Sequence, residues 1–177
     1  MGEEHARPVD FTGPAENTSF IIRSAEADEI PIVHRIMRQA FEQFRDRIIP
    51  PSGALLEEIA DIEAKFKRGG GALLAWLGGE AVGSVQIDFA ADYMYIGRLS
   101  VVDSARGLGL GTALMEAAER IAVGRGYVET RIGVRLSVPK NVPFYLGMGY
   151  EVLEHREYPA RTDSWYVMRK RLEGAER

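Results

Sequence analysis

The chain has no cysteine among its 177 residues. That excludes disulfides, thiolate metal sites and acyl transfer through a cysteine nucleophile, and it fits a reducing compartment. No set of residues has metal-ligand spacing. No apolar run approaches the ~18 residues of a membrane span, and the N-terminus lacks the basic-then-apolar build of a signal peptide. These readings point to the cytoplasm. Charge of one sign is nowhere concentrated. The 22 Lys and Arg against 26 Asp and Glu leave a net charge of −4, so neither nucleic acid nor a membrane surface is expected as a partner. No Gly-x-Ser-x-Gly nucleophile elbow is present. The apolar fraction of 46% is ordinary for a globular chain and decides against wholesale disorder.

What is there reads as one domain. Residues 1–18 are polar, with Pro8, Gly13 and Pro14 and no periodicity, and are expected as a flexible leader to a single domain over 19–177. Phe20-Ile21-Ile22 is a short strand. A helix follows, capped by Asp28 with Pro31 in its first turn and with Ile32, Ile36, Met37, Ala40, Phe41 and Phe44 as its apolar stripe. Pro50-Pro51-Ser52-Gly53 breaks the chain, and a second helix is expected from Ala54 to Lys67. Ala72 to Leu77 and Ala81 to Phe89 read as a hairpin about Gly78-Gly79. Strands are expected at Tyr93–Val101, Tyr127–Val134, Glu151–Glu154 and Ser164–Arg171. Helices are expected at Leu110–Val123 and Pro139–Leu146. Antiparallel strands followed by a strand-helix-strand crossover make an α/β domain with a mixed, mostly antiparallel central sheet flanked by helices.

The most specific stretch is Arg106-Gly107-Leu108-Gly109-Leu110-Gly111-Thr112, between an apolar strand and an amphipathic helix. Glycines let backbone N–H groups approach a phosphate closely, and a helix start adds unpaired N–H groups with partial positive charge. Thr112 follows Gly111 directly, so the Lys of a P-loop is missing. Leu114 stands where a dinucleotide fingerprint needs its third small residue. A glycine-rich turn that only reverses the chain is the bland alternative.

The arrangement Arg-x-x-Gly-x-Gly after a strand resembles the pyrophosphate loop of the GNAT-type N-acetyltransferase superfamily. A second stretch, Asn141-Val142-Pro143-Phe144-Tyr145-Leu146-Gly147-Met148-Gly149-Tyr150, resembles that family's second motif, in the family's order. The resemblance implies the GNAT fold and acetyl-CoA as co-substrate. It also implies direct acetyl transfer to an amine, small-molecule or peptide, of unknown identity. It implies that Leu99 and Val101 offer backbone groups to the pantetheine arm, and that residues 106–112 (Arg106, Gly107, Leu108, Gly109, Leu110, Gly111, Thr112) cradle the pyrophosphate. Tyr145 then serves as acid to the departing thiolate, and the rate falls at high pH if it ionises. Asn141 either faces the cofactor or caps its short helix. Pro143 is expected to distort that helix. No carboxylate stands where many relatives carry the base, which leaves Asp88, Asp92, Tyr95 or a water relay. Arg98 holds an anionic substrate group or pairs with a carboxylate. His34 reads as structural, and His155 lies near the expected acceptor cleft. The acceptor site is expected at about Arg45–Gly53 and His155–Asp163. Two other readings stay open at this point: a non-catalytic acyl-CoA-binding regulatory module, and a nucleotide-phosphate binder of another fold. A homodimer is left open as well.

Overall fold

A computed structural model describes residues 9–12 and 19–174. Eight strands form one sheet in the order β1-β2-β3-β4-β5-β6-β8-β7. They are β1 (Val9–Thr12), β2 (Ser19–Ser24), β3 (Gly71–Leu77), β4 (Glu80–Phe89), β5 (Met94–Val101), β6 (Glu129–Arg135), β7 (Glu151–Glu157) and β8 (Ser164–Arg171). All neighbours pair antiparallel except β5 and β6, which are parallel and are joined by helix α4 (Leu110–Gly124). Of the segment expected as a leader, residues 9–12 pair with β2; the rest of it lies outside the described residues.

The sheet is covered on both faces. On one side, α1 (Ile30–Phe41) and α3 (Ile59–Lys67) bury Val33, Ile36, Met37 and Ile62 against Leu74. On the other, α4 buries Leu110, Leu114 and Ala118 against Leu73, Val85, Ile96 and Ile132. Burial on both faces is why β3 reads as a nearly continuous apolar run rather than an alternating one. A short helix, α5 (Asn141–Gly147), packs on the α4 side through Phe144 and Tyr145.

Three local expectations are corrected. Glu26 and Glu29, not Asp28, form the capping box that opens the first helical segment. The apolar stripe of α1 runs through Ile30, Val33, Ile36, Met37 and Ala40, and Ile32 lies only partly under it. The helix expected over Ala54–Lys67 is two: α2 (Gly53–Leu56) and α3, separated at Glu57 and Glu58 because Glu58 and Asp61 form a second capping box. The break turns Glu57 inward, to 11% side-chain exposure.

Candidate active site

The site begins at an irregularity in β5. Gln86 pairs with Gly97 and Ser84 with Ser100, so Arg98 and Leu99 together oppose one residue of β4. This is a β-bulge, and it holds Arg98 in the left-handed region at φ +55. A bulge bends its strand and raises the local twist. The consequence is visible on the other side of β5. Only Met94 and Tyr95 pair with β6, at Thr130 and Arg131; from Ile96 onward the two strands diverge. Val102 donates its N–H to the Val82 carbonyl on β4, so alternation along the strand turns the Val101 N–H toward the gap. An open strand edge inside the protein is a template for an extended ligand.

The glycine turn lies at one end of this gap. Gly107 and Gly109 are both left-handed, at φ +79 and +81, a conformation that costs an L-residue with a Cβ about 1–2 kcal/mol. Gly109 is also the N-cap of α4, and no side chain caps that helix. Its first N–H groups therefore have no partner within the helix, and the helix dipole adds partial positive charge. Arg106 pairs with Asp103 at 2.9 Å and reaches Gln43 on the far rim at 3.4 Å. A cleft of about 770 Å³ runs from this turn along Leu99 and Val101 to Asn141 and Phe144.

A second cleft, of about 530 Å³, opens on the other side of the gap, and Leu99, Asn141 and Phe144 line both. Tyr145 stands in its wall. The ring packs edge-on against Phe144 and Tyr150, with centroids 4.9 and 5.9 Å away. Burial pushes the Tyr145 phenol far above its ordinary value, so the hydroxyl keeps its proton at every physiological pH. Tyr95 reaches across the divergence, where a Cβ added to Gly133 of β6 would come within 2.9 Å of its hydroxyl and one added to Gly97 within 3.0 Å of its ring. Burial raises its phenol too. Glycine at both places is what lets this ring lie in the gap.

Charge gathers at the far end of the second cleft. Glu57 accepts a hydrogen bond from Gln86 at 3.1 Å and lies 3.7 Å from the Lys65 ammonium and 3.5 Å from the Arg98 guanidinium. Burial lowers the Lys65 ammonium from its ordinary value, with Glu57 opposing. Asp88 is tied to Arg68, whose hydrogen bonds hold its carboxyl below the usual range. Arg135 pairs with Asp163, donates to the Pro50 carbonyl and stacks on Tyr158 at 4.6 Å. Burial alone would raise Asp163, but bonds from Arg135 and Ser137 outweigh it and leave the carboxyl lowered.

Most of the residues singled out in the sequence thus meet at two adjoining clefts. Leu99, Val101, Arg106, Gly107, Gly109, Leu110, Gly111, Thr112 and Asn141 line the first. Leu108 does not; it packs against the main core instead. Asn141 is the first residue of α5, and its side chain makes no cap bond; Lys140 holds the cap position. Because α5 starts at 141 rather than 139, Pro143 falls in its first turn, where a missing N–H costs nothing. Asp92 lines neither cleft. His34 bonds the Glu57 carbonyl at 3.0 Å between α1 and α2. His155 is exposed on β7, edge-on to the Tyr166 ring, and lines neither cleft. Sequence reasoning missed Glu57, Lys65 and Arg135. Among the described residues there is no cluster fit to hold a metal ion and no helix long and apolar enough to cross a membrane.

The left-handed glycines, the uncapped helix start and the open strand edge fit coenzyme A as phosphate cradle and extended-arm track. The model of the acetyltransferase (GNAT) family matches residues 33–150. Solved structures share the fold at low identity. The ribosomal-protein-S18-alanine N-acetyltransferase of Escherichia coli superposes with a TM-score of 0.73 at 16% identity, over 89% of this chain and 96% of that one. The PaiA N-acetyltransferase of Thermoplasma acidophilum, in complex with coenzyme A, gives 0.72 at 16%, over 86% and 99%. A GNAT family acetyltransferase from Elizabethkingia anophelis with acetyl-CoA bound gives 0.66 at 17%, over 86% and 98%. With its family model matched across both motifs, the chain belongs to the GNAT acetyltransferase family, as an enzyme that moves an acetyl group from acetyl-CoA to an amine.

Proposed function

We propose that the protein acetylates a small-molecule amine by direct transfer, with the two clefts holding the two substrates. The observation that carries this reading is their junction: Leu99, Asn141 and Phe144 belong to both clefts, and Tyr145 stands beside them. Acetyl-CoA supplies the activated acetyl group. The glycine turn and the start of α4 hold its pyrophosphate, and the backbone of Leu99 and Val101 pairs with its arm. Such pairing fixes the position of the reacting carbon, and positioning alone can remove much of the barrier to a two-substrate reaction. The Val101 N–H faces the gap and is placed to stabilise the oxyanion.

Tyr145 donates its hydroxyl to the departing sulfur. A thiol has a pKa near 8.5, and the Tyr145 phenol is held well above 10. Complete transfer of the proton during bond breaking is therefore uphill. The hydroxyl acts first as a hydrogen-bond donor to the developing thiolate. Glu57, in the wall of the second cleft between Lys65 and Arg98, is the carboxylate assigned to take the amine's proton; Asp92 lies outside both clefts. The cytoplasm, which holds acetyl-CoA, is the proposed compartment, supported by the cysteine-free composition.

Thiol release from acetyl-CoA, measured with a panel of amines, tests the reading. Turnover that Gly109→Val abolishes through loss of acetyl-CoA binding, and that Glu57→Gln lowers without such loss, is the expected result. Binding of acetyl-CoA without turnover of any amine would favour a regulatory module instead.

A further inference from the structure

The charges around the acceptor cleft do not balance. Four cations stand there: Lys65, Arg68, Arg98 and Arg135. Two of them have a carboxylate of their own, Asp88 for Arg68 and Asp163 for Arg135. Lys65 and Arg98 share the third, Glu57. Three carboxylates face four cations, and the surplus positive charge falls on this pair.

Arg98 is the member with donors to spare. Lys65 already bonds the Gln86 carboxamide. Arg98 comes nearest to Glu57 at Nε, 3.5 Å away, and its guanidinium makes no hydrogen bond to an acceptor among the described residues. Its terminal nitrogens lie against Gly53, where an added Cβ would come within 2.8 Å of Nη2. The guanidinium is half-buried, its side chain 34% exposed, so an anion that meets it is partly withdrawn from water. The backbone beneath it is the left-handed bulge residue that opens the gap between β5 and β6. The same feature that makes room for the acetyl donor therefore aims the free donors of Arg98 into the neighbouring cleft.

We infer that the acceptor is a small primary amine that also carries a carboxylate, and that Arg98 receives this carboxylate by a forked, charge-assisted hydrogen bond. The inference rests on the acetyl-transfer reading and narrows its substrate class to amino-acid-like molecules. A planar guanidinium matches a carboxylate bidentately, and hydrogen bonds to charged groups are the stronger ones. An incoming carboxylate supplies the missing negative charge and leaves Glu57 to Lys65 and to the acceptor's ammonium group. A polyamine brings only positive charge to a site that already holds a surplus, so it is disfavoured.

The test compares each of the twenty amino acids with its own amide, in acetyl transfer and in binding. Binding is measured by titrating the coenzyme A-loaded protein with the matching N-acetyl amino acids and their amides, which needs no turnover. At least one amino acid should exceed its amide by about 10- to 100-fold in kcat/KM, and its N-acetyl product should bind more tightly in the same sense. Arg98→Asn, chosen because asparagine tolerates the left-handed region, should bring that ratio close to one, and Arg98→Lys should restore part of it. Glu57→Gln, which removes the competing carboxylate, should tighten binding of the N-acetyl amino acid. Should Arg98→Asn fail to fold, the Glu57→Gln titration decides alone, with unchanged or weaker binding counting against the proposal. If amides match or exceed every amino acid in both assays, the inference is overturned. If amides are acetylated well, N-acetyl transfer stands while only the carboxylate requirement falls. A carboxylate preference that survives in Arg98→Asn would remove Arg98 from the role.

Discussion

Replacing Gly111 with alanine should raise stability and lower acetyl-CoA affinity at once. Gly111 is the second residue of α4 and lacks the positive φ of Gly107 and Gly109. A Cβ there would meet Phe144 Cζ at 3.7 Å and Leu99 Cδ2 at 3.8 Å, ordinary contact distances. The empty protein accepts the methyl, and the helix gains about 0.5–1 kcal/mol because alanine surrenders less backbone entropy than glycine. For a chain of this length that is a rise in Tm of roughly 1–4 °C. The same methyl projects between two residues that line the donor cleft, where the ligand must lie against the backbone. A loss of about 1.4 kcal/mol in binding is tenfold in Kd, and we expect at least that. Gly109→Ala should differ in sign for stability, falling about 1–2 kcal/mol because φ is +81. Thermal melts of the ligand-free variants and calorimetric titration with acetyl-CoA measure both quantities. A Gly111→Ala protein that binds acetyl-CoA as tightly as wild type would show that the ligand does not approach this turn.

Four further outcomes follow from the same geometry. Because burial holds the Tyr145 phenol far above its ordinary value, the rate of the chemical step should rise with pH and show no fall from Tyr145 ionisation up to pH ~10, where a tyrosine of ordinary value would already be losing its proton. Tyr150→Phe removes a buried hydroxyl that joins Thr130 at 2.9 Å and Glu119 at 3.0 Å, and should cost about 1–3 kcal/mol in urea denaturation while leaving acetyl-CoA affinity unchanged. Leu114→Ala empties a fully buried position packed against Gly83 and should cost about 2–5 kcal/mol in the same assay. Hydrogen bonds from Arg23 at 2.6 and 2.7 Å hold the Glu29 carboxyl below its usual range. A depressed folded-state value contributes stability that is present above the unfolded value near 4 and lost as pH falls through the folded one. The cost of Glu29→Gln, about 1 kcal/mol at pH 7, should therefore shrink progressively as pH falls below the unfolded value, in denaturation measured from neutral pH into the acid range.

Much of the donor cleft was legible because it is made locally. Residues 99–112 form one strand, one turn and one helix start, so glycine placement and apolar periodicity report on it directly. The acceptor cleft is assembled from distant parts of the chain. Glu57 was read as a helix-interior residue because Ala54 to Lys67 has unbroken helical spacing; the break comes from the Glu58–Asp61 capping box, a signal present in the sequence but weaker than the periodicity around it. Lys65 and Arg135 carry no mark of their own in the sequence: the turn into α3 sets Lys65 against Glu57, and the pairing of β6 with β8 brings Arg135 to Asp163. Arg98 itself gave the bulge no mark, because arginine is an unusual residue for φ +55. Gly97 and Gly133 did carry a signal as glycines inside strands. Their meaning, room for the Tyr95 ring, depends on β5 and β6 being neighbours.

The central claim is that Tyr145 serves the departing thiolate where the two clefts meet. Single-turnover acetyl transfer by wild type and Tyr145→Phe, with acetyl-CoA affinity and Tm measured on the same preparations, tests it most directly. The phenylalanine ring preserves the contacts to Phe144 and Tyr150, so affinity and Tm should hold while the rate falls about 10²-fold, the low end for a positioned proton donor. A variant that transfers acetyl at the wild-type rate would contradict the account.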